Sequence, residues 1–133
     1  MSKRILVIDD DADLVTSTSA LLAAHGYTVS GAMGAAEGRK AIRDLRPDLV
    51  VLDIMMETDA AGFDLAYALK ADPATRNLPI VILSSFQDHL ADKGPAFEHV
   101  MGRDWPAAEL LEKPADPAKL TAVVSRLLAE QAA

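Results

Sequence analysis

Apolar residues along this chain follow two rhythms. Short continuous runs occupy Ile5–Ile8, Leu49–Leu52 and Ile80–Leu83, with weaker ones at Tyr27–Val29 and Leu110–Leu111. Between them, apolar positions recur at helical spacing. Leu14, Thr18, Leu21, Leu22 and His25 share one face; so do Ala35, Ala41, Ile42 and Leu45, and then Phe63, Ala66, Leu69 and Lys70. The last helix is the clearest, because Leu120, Val123, Val124, Leu127 and Leu128 follow i, i+3, i+4, i+7, i+8. Asp116 before Pro117 predicts an N-cap with proline at the first helical position. Gly26 and Pro47 predict helix ends.

A strand that is apolar on both sides needs cover on both sides. Strands alternating with helices meet that need as a parallel sheet between two helical layers. The pattern predicts an α/β fold of five strands and about five helices, the fourth helix falling near Gln87–Met101. No repeat or low-complexity tract interrupts it, so 1–133 reads as a single domain with no output domain.

Composition narrows the picture. A chain of 133 residues suits one domain and buries enough surface to need no staple. The absence of cysteine excludes a disulfide scaffold and a thiolate metal site. A net charge of −7 disfavours nonspecific binding to nucleic acid or anionic membrane, and it does not exclude a cationic cofactor such as a metal ion. Lys3 and Arg4 precede only four apolar residues, too few for a signal peptide, and no apolar run approaches transmembrane length. The expectation is a cytoplasmic protein that binds neither DNA directly nor membrane.

In an open parallel sheet, ligands bind beyond the C-terminal ends of the strands. The first strand ends in Asp9 and Asp10, the third in Asp53, the fourth in Ser84 and the fifth in Lys113 and Pro114. Three carboxylates at one edge repel; two unit charges about 4 Å apart cost on the order of 4 kcal/mol at an effective dielectric near 20. A hard divalent cation removes that cost, and Mg²⁺ favours one or two carboxylates plus waters and phosphate oxygens. Asp53 is then free to act as a nucleophile toward a phosphoryl group. Lys113 would neutralise charge on that group, and Ser84 would donate a hydrogen bond to it.

The motifs "VIDDD", "LVVLDIMM", "LPIVILSS" and "EKP", in this order, make the chain resemble a receiver domain of two-component response regulators, of the stand-alone kind. The resemblance covers essentially the whole chain. It implies a flavodoxin-like doubly wound sheet of order 2-1-3-4-5. It implies that Asp53 is the phosphoacceptor, with Lys113 and Ser84 assisting. It implies Mg²⁺ on Asp9, Asp10, Asp53 and the backbone carbonyl of Met55. The Lys113–Pro114 bond would be cis, as in the family. The implied donor is a histidine kinase or histidine phosphotransfer protein. The implied output is a changed surface around the fourth helix, fifth strand and fifth helix, meeting a downstream target the sequence does not name. A homodimer through that face stays open.

Four departures stand out. Leu110 replaces the aromatic common in the family three residues before the lysine, which puts an aromatic switch in doubt. Glu57 stands where the family commonly has proline. The stretch "DIMMETDAAG" is about one residue longer than usual, and the interval from Ser84 to Lys113 is several residues longer. Met55 and Phe86 place apolar side chains at positions that flank the phosphoryl group in the family, which predicts a long phosphoryl lifetime.

Blander roles suit the remaining candidates. Asp11 and Asp13 read as helix-start charge and capping. His25, His89 and His99 lack metal-ligand spacing. Trp105–Pro106 reads as an anchor for the long loop. An alternative function is a phosphorylation-independent interaction domain on the same fold, which Leu110 favours and the intact acidic set opposes. An aspartate-nucleophile phosphatase would carry a second acid two residues beyond its nucleophile; Asp53 is followed there by Met55. Neither glycine-rich nucleotide motif is present.

Overall fold

The computed structural model describes residues 3–53, 61–84, 109–112 and 116–132. Five strands pair in parallel: β1 (Arg4–Ile8), β2 (Thr28–Ala32), β3 (Leu49–Asp53), β4 (Ile80–Ser84) and β5 (Glu109–Glu112). Their order is β2-β1-β3-β4-β5, as the resemblance implies. Three helices follow the first three strands: α1 (Ala12–Ala24), α2 (Ala35–Leu45) and α3 (Ala61–Ala71); a C-terminal helix spans Pro117–Ala132. The fourth helix expected near Gln87–Met101 and the anchor at Trp105–Pro106 lie outside the described residues.

Strand alternation divides the interior in two. Ile5, Val7, Leu49, Val51, Val81 and Leu83 pack on one side with Leu22 of α1 and with Leu120, Val124 and Leu127 of the C-terminal helix. Leu6, Ile8, Val50, Leu52, Ile80 and Ile82 pack on the other with Ile42 of α2 and with Leu65, Ala66 and Leu69 of α3. Side chains two apart along a strand share a face, so a continuous apolar run feeds both cores at once. That is why β1, β3 and β4 were the legible strands. β2 and β5 are the sheet edges; β2 reads weakly because most of its residues are only partly covered.

Among the described residues, four helices fall where the periodicity predicts them, with local corrections. All five periodic residues of the C-terminal helix are buried. Asp116 caps it, accepting from the Ala118 N–H at 3.0 Å. His25 lies just past α1 as an exposed C-cap residue, and Gly26 follows in the left-handed region at φ 94°. Leu45, assigned to the inner face of α2, is 39% exposed. The helix turns that residue outward at its last position, and Gly38 and Ile42 are the buried pair. Lys70 is likewise exposed at the end of α3.

Candidate functional site

The site begins with two adjacent strand ends. β1 and β3 run in register from Ile5 beside Leu49 to Ile8 beside Leu52. One further step sets Asp9 next to Asp53. Asp9 is 3% exposed and Asp53 4%, whereas Asp10 is exposed. Each of the three offers a carboxylate oxygen, and those oxygens lie within 4.8 Å of one another.

Backbone hydrogen bonds hold the turn that carries Asp9. Its N–H donates to the Ala32 carbonyl at the end of β2, at 3.1 Å. Its Oδ1 accepts from the Asp11 N–H at 3.0 Å. Asp11 then starts α1, its Oδ1 accepting from the N–H groups of Asp13 and Leu14 at 3.0 and 3.4 Å. This is the capping role expected of it, and it separates Asp11 from the acid cluster. Asp13 lies in the first turn, where negative charge suits the helix dipole.

Two glycines not singled out in the sequence help set this geometry. A Cβ on Gly38 would come within 2.7 Å of Ile8 Cδ1, so α2 packs closely on the residue before Asp9. A Cβ on Gly31 would come within 2.5 Å of Val15 Cγ1, so α1 lies close across β2. An isolated glycine within a strand or helix pattern is the available signal for such contacts, and here it was present.

Ser84 closes β4 at the same edge, one step beyond the Asp53–Leu83 pairing, with its backbone beside Glu112. Leu110 lies in β5 beside Ile82. Lys113, Met55, Phe86 and Glu57 lie outside the described residues.

The donor set suits a hard cation. Its ligands are all oxygens, two are buried, and exposed Asp10 leaves one side open to the waters that Mg²⁺ retains.

A doubly wound parallel sheet with an acid cluster at its C-terminal edge defines a class of domain, and comparison with known proteins makes the class specific. Residues 5–125 match the response regulator receiver domain family, and the chain belongs to it. Response regulator PleD of Caulobacter vibrioides is 39% identical over 128 residues, covering 96% of this chain and 26% of that protein. The DNA-binding response regulator MtrA of Mycobacterium tuberculosis is 34% identical over 124 residues, covering 93% of this chain and 50% of that protein. The chain therefore spans about a quarter to a half of these relatives. Among solved structures, a CheY-like receiver domain protein from Methanospirillum hungatei superposes with a TM-score of 0.81 at 27% identity, over 98% of this chain and 97% of the other. A response regulator receiver protein from Pseudomonas putida gives 0.79 at 26% identity, over 95% and 98%. Receiver domains are signalling domains. Among the described residues, no helix is long and apolar enough to cross a membrane.

Proposed function

We propose that this chain accepts a phosphoryl group on Asp53 from the phosphohistidine of a histidine kinase or histidine phosphotransfer protein, and signals through the resulting change in its surface. The carrying observation is the cluster of Asp9, Asp10 and Asp53 at the end of two paired central strands. An Asp53 oxygen attacks phosphorus, the P–N bond breaks, and its electron pair leaves with the imidazole. Asp9, Asp10, Asp53 and the Met55 carbonyl would hold Mg²⁺, which when bound offsets the negative charge brought together by phosphate and carboxylates. Asp9, fixed at both its N–H and its Oδ1, presents its carboxylate without reorganisation. Lys113 would pair with a phosphoryl oxygen, and Ser84 would donate to another.

The output surface is the fourth helix, fifth strand and fifth helix, whose conformational populations shift when Ser84 engages the phosphoryl group. Leu110 supports a switch without an aromatic rotation. It also favours the second reading, an interaction domain that works without phosphorylation. A small phosphodonor with Mg²⁺, read by intact mass, separates the two. The expected result is one phosphoryl adduct on wild type and none on Asp53→Asn. An unmodified wild type, or equal modification of the variant, would overturn the phosphoacceptor reading.

A further inference from the structure

A cavity lies between α2 and the end of α3. It measures about 540 Å³ and is lined by Arg39, Ile42, Arg43 and Arg46 from α2 and its end, and by Leu69, Asp72 and Leu78 among residues across from them. Both α2 and α3 run back from the C-terminal edge of the strands, so their ends lie at the N-terminal edge. Neither Asp9 nor Asp53 lines the cavity.

Its chemistry is unusual for a chain of net charge −7. The stretch "RKAIRDLR" carries four cations and one anion, and Arg39, Arg43 and Arg46 fall at i, i+4 and i+7 on one face. Among the described residues, no carboxylate lies within ion-pair distance of these three guanidinium groups. The one acid in the lining, Asp72, accepts from the Ala74 N–H at 2.9 Å. The opposite wall is also held in place: Thr75 N–H donates to the Asp72 carbonyl and Leu78 N–H to the Thr75 carbonyl, each at 3.0 Å.

Arg46 is held in a costly conformation. It is the C-cap of α2, at φ 49° and ψ 64°, and it precedes Pro47. Glycine is the usual residue in the left-handed region after a helix, and a residue before proline ordinarily prefers extended backbone. The αL backbone turns the chain here, and the Arg46 side chain joins the cavity lining. The cavity floor is apolar, since Ile42 and Leu69 are buried.

We infer that this cavity binds a small phosphorylated molecule with a flat or apolar body, of the nucleoside diphosphate kind. Guanidinium forks match phosphate oxygens in bidentate geometry and stack on planar groups. The volume falls within the range of about 300–1,000 Å³ typical of small-molecule sites. No glycine-rich phosphate loop is needed, because the donors are side chains.

The test is a titration of the ¹⁵N-labelled chain with ADP, pyrophosphate and adenosine in metal-free buffer, followed by amide chemical shifts. ADP is expected to give saturable shifts at residues 39–47 and 68–78. The binding should weaken about tenfold for each of Arg43→Gln and Arg46→Gln, with the variants' thermal midpoints near that of wild type because both side chains are exposed. Shifts that do not saturate at low-millimolar ADP, or that centre on Asp9 and Asp53, would overturn the inference. So would undiminished binding by the two variants. Pyrophosphate binding as tightly as ADP would overturn the apolar body, and adenosine binding as tightly would overturn the arginine role.

Discussion

The strand ends and the α2 helix concentrate charge of opposite sign and hold it in different ways. At the C-terminal edge, Asp9 and Asp53 are buried at the ends of paired strands, and backbone groups fix the turn between β1 and α1. Along α2 towards that helix's C-terminal end, Arg39, Arg43 and Arg46 are exposed on the helix and its cap. Carboxylates gathered within a few ångströms favour a ligand that brings positive charge to them. Exposed cations on flexible stems are solvated and screened, so they cost the fold little. The contrast predicts that a ligand at the acids acts on folding stability and that the charges of the basic end contribute little to it.

The largest test of that contrast acts through the strand beneath the acids. Leu52 is fully buried beside Asp53, and Leu52→Ala should lower unfolding free energy by about 3 kcal/mol. Urea denaturation measures it; a loss below about 1 kcal/mol would show that the acids are not anchored by this core. Next comes Mg²⁺ itself. At a hundredfold excess over its dissociation constant it should stabilise wild type by about 2.7 kcal/mol. Asp9→Asn should lose most of that gain, and an equal gain in the variant would remove Asp9 from the metal site.

Asp11→Ala is expected to cost about 1 kcal/mol with or without Mg²⁺, since Asp11 caps α1. A cost that depended on Mg²⁺ would return Asp11 to the acid cluster. Arg43→Gln should change stability by less than about 0.5 kcal/mol; a larger loss would make the basic end structural. Substitution of Met55 by Asn bears on lifetime rather than stability. Faster phosphate release from the variant is expected if Met55 hinders the attacking water, and equal rates would remove that role.

The sequence alone determined the central strands, the C-terminal helix and the acid positions. Ile5–Ile8, Leu49–Leu52 and Ile80–Leu83 are apolar at every position, because each strand must feed two cores, and that pattern survives without any tertiary information. The C-terminal helix kept a full stripe because one face meets the sheet and the other meets water. Strand ends locate acids, so Asp9 and Asp53 were legible as edge residues before their separation was known.

Tertiary structure decided what depends on neighbours distant in sequence. Asp9 and Asp11 are both acids in one short run, yet Asp9 is drawn into the sheet by the Ala32 carbonyl while Asp11 turns to cap α1. Leu45 fits the helical period but is exposed, because the helix ends there before anything covers it. Gly31 and Gly38 gain their meaning only from Val15 and Ile8 packed against them. The arginine stripe of α2 looks in sequence like an ordinary solvated face. Only the wall built by the end of α3 and the turn through Leu78 encloses it as a cavity, because periodicity specifies which residues share a face and packing specifies what that face meets.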